Sequence, residues 1–263
     1  MIVIQAITCC QVHFTIDVQV NTFILSLKDW QRIIKTFPAG SCYYIPLMIG
    51  FYTGLRISEA FALTWDDIDF EKREITVNKQ VIRRKKVNSI FSSWCISTPK
   101  SKTSERIIKF GETLYQALKA ERAVQLKNEL KYSDQYIIHL LKSELDEKGN
   151  IFQRIESVQK SMKADFPRIR FICIDKNGKY IPQERMRNIL ILIREKMGIN
   201  INYHSLRHTH ATLLIEAGAD VKDVQARLGH NNIQTTLQTY VHDTKAMAVK
   251  SVELFEQTAS KIS

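Results

Sequence analysis

The spacing of apolar residues changes twice along this chain, and the changes restrict the fold classes open to it. Residues 27–37 carry leucine, tryptophan, isoleucine and phenylalanine at helical spacing, and a second helix is predicted over about 43–53. From 67 to 110 the segments EITVNKQVI, FSSWCISTPK and SERIIKF are rich in β-branched and aromatic residues, as strands are. Helical spacing returns near residue 112. We therefore predict a mixed fold, mainly α, with a small antiparallel three-stranded β-sheet.

Local signals mark the ends of the first two helices. Ser26 and Asp29 resemble a capping box at the start of the first helix, and Pro38 ends that helix. Gly54 ends the second helix. The segment TGLRISEAFALTWDDIDF, which contains Arg56, therefore begins at a turn.

The last third of the chain is predicted to be helical. Residues 183–197 form one helix, which follows a short buried strand and a turn at Asn177-Gly178. Ser205 is the predicted cap of a helix that runs to Ala217. Two shorter helices follow in the prediction, over residues 220–228 and from Asn232 toward Tyr240.

Two segments differ from this pattern. Residues 1–22 are β-branched and almost uncharged, and the change in composition near Ser26 marks a boundary. The first segment is predicted to be a docked strand or the remnant of a longer N-terminal region. Residues 131–165 are highly charged with few core signals, and we predict a partly helical insertion on the surface there, with its charges in solvent.

The charge balance favours an extended anionic partner. The 263 residues carry a formal net charge of +11 from 38 basic residues distributed along the whole length. Such a distribution suits nucleic acid better than a small acidic substrate. The alternative is that the charge only keeps the protein soluble.

Cysteine usage and hydropathy indicate the compartment. The five cysteines have no CxxC spacing, and an odd number is not a disulfide framework. No apolar run approaches the roughly 18 residues that a membrane span needs. We expect a soluble cytoplasmic protein with no membrane association.

Residues 203–240 contain an unusual set of chemical groups: His204, Arg207, the Gly229-His230 pair and an isolated Tyr240. Arginine matches phosphate oxygens with a planar fork of donors, and histidine transfers protons near neutral pH. A tyrosine hydroxyl is able to form a covalent intermediate. The prediction places His204 just before a helix N-terminus and Arg207 in its first turn, where an anion is favoured. Together these groups indicate phosphoryl transfer without a metal.

An arginine and two lysines that precede this stretch in the chain each have two interpretations. Arg56 lies among apolar residues and needs an anionic partner, which is either Glu59 or Asp66 in a structural ion pair or a bound phosphate. The predicted hairpin tip PKSKTSE carries Lys100 and Lys102, which either form a solvated loop or deliver a proton into a groove. In the late helix we expect the two remaining histidines to pack or to face solvent; these are His208 and His210.

In their order, these segments resemble the signature of the tyrosine recombinases, the phage integrase family. The segments are TGLRISEA, the lysine hairpin, HSLRHTHA, LGH and the late tyrosine. The resemblance covers roughly residues 27–252, and QARLGHNNIQTTLQTYVH is similar to the family pattern almost throughout. One such segment is common in proteins, whereas five in order are specific.

The resemblance implies the tyrosine recombinase catalytic-domain fold over residues 27–258, with neither a metal nor another cofactor. Arginine side chains would clamp the scissile phosphate, histidines would hydrogen-bond it, and a tyrosine would attack it. By position these are Arg56, Arg207, His204, His230 and Tyr240. Lys100 or Lys102 would act as the acid for the leaving 5′ oxygen, and KSKTSER fits the family spacing better from Lys100.

The implied function is site-specific DNA recombination through a 3′-phosphotyrosine intermediate, for integration or excision of a mobile element or prophage. The implied partners are double-stranded DNA with attachment-type sites, a homotetramer on that DNA from a monomer in solution, and accessory DNA-bending proteins. Two alternatives remain: a remnant that only binds DNA, and a relaxing activity similar to type IB topoisomerases. Family members usually carry a separate DNA-binding domain before the catalytic one. Residues 1–26 are then a tail or the remnant of that region, and we expect weak DNA binding by this chain alone.

Overall fold

The computed structural model describes residues 23–85, 92–98, 105–145, 149–162 and 165–229. The elements follow in the order α1 (Leu27–Thr36), α2 (Tyr44–Thr53), α3 (Ile57–Ala60), a 3-10 turn (Trp65–Asp67), β1 (Ile68–Asp69), β2 (Glu74–Val77), β3 (Gln80–Lys85), β4 (Ser92–Ser97), β5 (Arg106–Lys109), α4 (Glu112–Tyr132), a 3-10 turn (Ser133–Gln135), β6 (Ile137–Leu145), β7 (Ile151–Gln159), β8 (Arg168–Ile169), α5 (Gln183–Met197), α6 (Tyr203–Glu216) and α7 (Val221–Leu228). The predicted mixed fold is confirmed.

The first two helices form as predicted. The hydroxyl of Ser26 accepts a hydrogen bond from the backbone N–H of Asp29 at 3.0 Å, which caps α1. Helix α2 is buried over most of its length and ends at Gly54, whose φ of 68° is the left-handed conformation that glycine adopts freely. Trp30 of α1 stacks on Phe51 of α2, with ring centroids 4.0 Å apart. The apolar residues that recur at helical spacing in the sequence thus pack into a core shared by α1 and α2.

The three predicted strand segments are strands, but they belong to two antiparallel sheets instead of one. The first sheet has the order β1-β2-β5, and the second has the order β3-β4-β7-β6-β8. The segment EITVNKQVI divides between β2 and β3, because Lys79 in the connection forms an ion pair with Asp67. Asp67 is itself fixed, since its carboxylate accepts from the backbone N–H of Thr64 at 2.7 Å. This anchor ends β2 and turns β3 into the second sheet.

The prediction of a partly helical insertion over residues 131–165 is wrong. Strands β6 and β7 form a long antiparallel hairpin there, with Ile137 opposite Gln159 and Leu145 opposite Ile151. The charged residues hide the alternating apolar pattern of these strands in the sequence. In the structure they form ion pairs, both between the two strands and along one strand. Arg154 of β7, for example, contacts Glu144 of β6 at 2.9 Å. The hairpin extends the second sheet beside β4.

A buried histidine fastens this hairpin to the rest of the molecule. The ring of His139 lies within hydrogen-bond distance of Ser157 Oγ at 2.9 Å and of the Gly178 carbonyl oxygen at 2.8 Å. Gly178 has a φ of 86°, so the predicted Asn-Gly turn is confirmed. The short strand predicted before that turn is reduced to isolated bridges, one of which joins Ile174 to Tyr180.

Helix α6 begins three residues earlier than predicted. Its cap is Asn202, whose side-chain oxygen accepts from the backbone N–H of Ser205 at 2.9 Å. The Ser205 hydroxyl accepts from the backbone N–H of Asn202 at 3.1 Å in return, so Ser205 is the third helical residue of a capping box and not the cap. His204 therefore lies within the first turn of α6, and Arg207 lies beyond it.

The other late helices agree with the prediction. Helix α5 ends at Gly198, and Asp220 caps α7 by accepting from the backbone N–H of Lys222 at 2.7 Å. The helix predicted from Asn232 lies outside the described residues. Helix α6 packs closely on α2 at Gly50, because a Cβ there would come within 2.7 Å of Leu206. This contact fixes the helix that carries His204 and Arg207.

Two findings bear on the compartment. The described cysteines are free thiols: Cys42, Cys95 and Cys173. In the parts of the chain that the structure covers, no helix has both the length and the apolar character needed to cross a membrane.

Candidate active site

Arg56 forms the structural ion pair that was one of the two alternatives left open by the sequence. It lies at the N-cap of α3, and its Nη1 donates to Glu59 Oε1 at 2.8 Å. Its Nη2 donates to the carbonyl oxygen of Gly229 at 3.0 Å. The side chain is 36% exposed, so part of the guanidinium faces solvent. The predicted ion pair is thus with Glu59, whereas Asp66 pairs with Arg170.

Arg207 is almost completely buried, with 1% of its surface exposed. Its Nη1 donates to the carbonyl oxygen of Gly54 at 2.9 Å, and its Nη2 donates to that of Leu228 at 2.8 Å. The guanidinium therefore joins the ends of α2 and α7. A buried charge of this kind is costly unless it is well hydrogen-bonded, which these carbonyls help to provide.

The C-terminal end of α7 is where the arginines meet. The carbonyl oxygens of Arg227, Leu228 and Gly229 accept hydrogen bonds from three arginines: Arg106 Nε at 2.7 Å, Arg207 Nη2 at 2.8 Å and Arg56 Nη2 at 3.0 Å. These carbonyls have no partner within the helix and carry the negative end of its dipole. Three guanidinium groups from α3, α6 and β5 thus converge on the residues that directly precede His230.

One carboxylate balances part of this positive charge. Glu59 is 3% exposed and accepts from Arg106 Nη2 at 2.9 Å and from Arg56 Nη1 at 2.8 Å. Burial alone would raise the pKa of the Glu59 carboxyl, but the hydrogen bonds and charge of Arg106, followed by the charge of Arg56, lower it below its usual value. Glu59 is therefore ionised, and the arginines outnumber it.

His204 lies in the first turn of α6, near the arginine cluster. Its side chain is exposed in part, and its ring meets that of His208 edge-on, with centroids 4.4 Å apart. Partial burial, followed by the charges of Arg207 and Arg56, lowers the pKa of His204. The imidazole is therefore neutral near pH 7 and able to accept a proton.

The two remaining histidines of α6 are buried, and the expected packing role is confirmed. Burial, together with the nearby His204 and Arg207, lowers the pKa of His208 to about 4. His210 contacts the backbone of α2 and the side chain of Arg227. Both are neutral at physiological pH.

Four of the predicted site residues lie outside the described residues: Lys100, Lys102, His230 and Tyr240. The structure brings together Arg56, His204 and Arg207. Along the chain, Arg106 lies four residues after Lys102, and Gly229 directly precedes His230, so both undescribed segments are connected in sequence to residues of the arginine cluster.

The sequence interpretation did not select Arg106 or Arg227 as site residues. A signal for Arg106 exists, because alternation in SERIIKF places it on the same face of β5 as the buried Ile108, while Ile107 is exposed. An arginine on the inner face of a strand needs an acceptor nearby. No comparable signal marks Arg227, which lies in the last turn of an ordinary amphipathic helix.

The fold is shared with solved structures of an integrase bound to DNA. The chain is similar to the Tn1549 transposon integrase in complex with circular intermediate DNA, with a TM-score of 0.62, 24% identity, and coverage of 89% of this chain and 67% of that one. The phage integrase family model matches residues 24–247. The chain therefore belongs to the phage integrase family, the tyrosine recombinases.

Curated relatives carry related names. The chain is 29% identical over 245 residues to a protein named tyrosine recombinase XerC-like from Caldanaerobacter subterraneus subsp. tengcongensis, covering 91% of this chain and 56% of that protein. It is also 29% identical over 231 residues to the transposase from transposon Tn916 of Enterococcus faecalis, covering 87% of this chain and 50% of that protein. The chain thus spans about half the length of the curated relatives it matches.

Proposed function

We propose that this chain is a site-specific DNA recombinase that cleaves and rejoins DNA strands through a 3′-phosphotyrosyl link at Tyr240. Its biological reaction is the integration or excision of a mobile element or prophage. Family membership and the names of its relatives support this reaction class. The fold shared with an integrase in complex with circular intermediate DNA supports duplex DNA as the partner.

The observation that carries the proposal is the convergence of Arg56 and Arg207 on adjacent carbonyls. Arg56 Nη2 lies 3.0 Å from the Gly229 oxygen, and Arg207 Nη2 lies 2.8 Å from the Leu228 oxygen. Glu59 balances only part of the positive charge of the arginine cluster, so the cluster attracts a further anion. A phosphodiester supplies that anion, and its non-bridging oxygens match the arginine forks.

In the proposed reaction, the phenolic oxygen of Tyr240 attacks the phosphorus atom. A Tyr240 O–P bond forms as the bond between phosphorus and the 5′ oxygen breaks. The neutral His204 accepts the phenolic proton of Tyr240, and Lys100 or Lys102 gives a proton to the leaving 5′ oxygen. Arg56 and Arg207 stabilise the extra negative charge of the transition state, and one preorganised donor of this kind is typically worth about 3 kcal/mol. Because the phosphotyrosyl link conserves the bond energy, rejoining needs no ATP.

We also propose the bounds of the catalytic domain and its assembly on DNA. Residues 27–258 form the catalytic domain, and the active species is a homotetramer assembled on DNA from monomers, with accessory DNA-bending proteins. The formal net charge of +11 supports binding to the phosphate backbone, and binding of this kind weakens as salt rises. The catalytic domain by itself is expected to bind DNA weakly, because a single domain contacts only one side of the duplex.

A nicked suicide substrate tests the chemistry. The duplex carries a core-type site with a nick just beyond the scissile phosphate, so that the short 5′ product diffuses away and the covalent complex accumulates. We expect a band of protein joined to DNA on a denaturing gel for the wild type and none for Tyr240→Phe. An adduct in Tyr240→Phe would assign the nucleophile to another residue, and no adduct in the wild type would reject the proposed reaction.

A second assay separates the alternatives. Paired sites on one plasmid yield deletion or inversion products if the chain recombines DNA. A change in linking number without such products would indicate a relaxing enzyme of the type IB kind instead. Binding to the site with neither product would indicate a DNA-binding remnant.

A further inference from the structure

Arg106 is a buried arginine that the proposed reaction does not use. It is the first residue of β5, and its side chain is 8% exposed. Its Nη2 donates to Glu59 Oε2 at 2.9 Å, and its Nη1 donates to Glu59 Oε1 at 3.3 Å. Its Nε donates to the carbonyl oxygen of Arg227 at 2.7 Å. One side chain thus connects β5, α3 and α7.

The contacts of Glu59 divide its charge between two arginines. Oxygen Oε1 accepts from Arg56 at 2.8 Å, and Oε2 accepts from Arg106 at 2.9 Å. If Arg106 were neutral, the buried carboxylate would retain Arg56 as its arginine partner. The carboxylate would then neutralise Arg56 and compete with a phosphate for it. Arg106 therefore determines how much of the Arg56 charge is left for DNA.

The second contact of Arg106 concerns the end of α7. The backbone of Gly229 has a φ of +68°, and a Cβ built there would lie 3.0 Å from Arg106 Nη1 and 3.2 Å from Arg106 Cζ. The Arg106 side chain therefore packs against Gly229, while its Nε donates to the Arg227 carbonyl oxygen. The next residue in the chain is His230. Arg106 thus fixes the last described residues before His230.

We propose that Arg106 is a positioning residue for strand cleavage, which holds Glu59 away from full pairing with Arg56 and fixes the α7 terminus next to His230. This inference rests on the proposed function. In the sequence, Arg106 lies four residues after Lys102.

The test compares four proteins on the nicked suicide substrate under single-turnover conditions: wild type, Arg106→Gln, Glu59→Gln and the double variant. We expect Arg106→Gln to cleave about 100-fold more slowly, as expected for misplaced reacting groups, with DNA affinity changed less than threefold. The double variant should cleave at least tenfold faster than Arg106→Gln, because the surplus carboxylate charge is gone. A purely structural role for Arg106 predicts the opposite, since two lost partners then destabilise the cluster further.

Controls keep the result interpretable. Arg106→Lys, which retains the charge but offers fewer directed donors, should fall between wild type and Arg106→Gln. Arg170→Gln removes another arginine–carboxylate pair, at 3.0 Å, and should cleave like wild type. If Arg106→Gln does not fold by circular dichroism, Arg106→Met takes its place with and without Glu59→Gln.

Two results overturn the inference. One is wild-type cleavage by the neutral Arg106 variant, and the other is a double variant no faster than the single one. If the wild type forms no adduct, or Tyr240→Phe still forms one, the proposed function fails and the positioning role fails with it. A wild-type adduct with an unchanged Arg106 variant leaves the proposed function intact and rejects only the role of Arg106.

Discussion

Arg227 donates a hydrogen bond through Nε to Nε2 of His210, at 2.9 Å. Since that ring nitrogen accepts, the proton of His210 is on Nδ1, which lies 2.9 Å from the carbonyl oxygen of Phe51. Burial, followed by the charge of Arg227, lowers the pKa of His210 to about 4 and keeps the ring neutral. The pair ties α6 to α7 and to the end of α2.

This pair makes His210 important for stability. His210→Phe would leave a donor of Arg227 and the Phe51 oxygen without their partner, and we expect a loss of about 1–3 kcal/mol in the free energy of unfolding. His210→Gln supplies an acceptor at a similar reach and should cost less. Urea unfolding followed by circular dichroism measures both. Equal stability of the two variants would mean that the hydrogen bond contributes little.

The arginine fork of Arg207 is expected to matter beyond its charge. Arg207→Lys keeps the charge but cannot bond the Gly54 and Leu228 oxygens with the same planar geometry. We expect cleavage of the suicide substrate to fall about 100-fold or more. The exposed Arg194→Lys on α5 is the matched control and should cleave normally. Normal cleavage by Arg207→Lys would show that charge alone is sufficient at this position.

The charge of Arg56 should be visible in the titration of His204. Burial, then Arg207 and then Arg56, lowers the pKa of His204. In Arg56→Gln one of these causes is removed, so we expect the pKa of His204 to move up toward its ordinary value. NMR of labelled imidazole carbons measures it in the DNA-free protein. The remote His139 should not change, and an unchanged His204 would place Arg56 too far away to act on it.

Acid should destabilise the fold through buried histidines. Burial lowers the pKa of His139 from 6.5 to about 4. Between these values the unfolded chain binds a proton that the folded chain does not, so stability is complete above pH 6.5 and is lost as pH falls toward 4. At pH 5 we expect a loss of about 2 kcal/mol from this residue. His139→Gln should lose correspondingly less between pH 7 and pH 5 in urea unfolding, and equal losses would contradict this account.

Two glycines offer a matched comparison. Gly229 and Gly198 have φ values of 68° and 67°, so alanine should cost each about the same backbone strain, roughly 1–2 kcal/mol. A Cβ at Gly229 would meet Arg106 at 3.0 Å, whereas nothing lies within 4 Å of one at Gly198. We therefore expect Gly229→Ala to lower both stability and cleavage more than Gly198→Ala does. Identical effects would show that Arg106 moves aside without consequence.

Helix ends were predicted correctly where a single residue was the clear end signal. Helix α2 ends at Gly54, α5 ends at Gly198, and α7 is capped by Asp220. The start of α6 was misplaced because Asn202 and Ser205 are both capping residues. In a capping box each side chain bonds to the backbone of the other, and spacing alone does not tell which is the cap.

The β6–β7 hairpin was missed because its charges are part of the sheet. Arg154 pairs with Glu144 across the strands and with Glu156 along its own strand, while Phe152 and Ile155 fill the buried positions. Charges at every second or third position fit either a helix or a strand surface. The pairing partner that selects the strand, β4, lies more than fifty residues earlier in the chain.

The ordered segments pointed to Arg56 and Arg207, but the sequence does not contain their geometry. The two arginines meet only because α3 and α6 approach the same end of α7. The acceptors are backbone carbonyl oxygens, which every residue has and which no residue pattern marks. Glu59 was one of the two partners predicted for Arg56, whereas Arg106 joins the cluster only through contacts made by the folded chain.

The end of α7 also links folding to chemical competence. Three consecutive carbonyls engage arginines that come from positions 56, 106 and 207 of the chain. If this short helix detaches, all three guanidinium groups lose their common anchor in a single event. In the proposed reaction, loss of this single helix end would therefore remove both phosphate-binding arginines together.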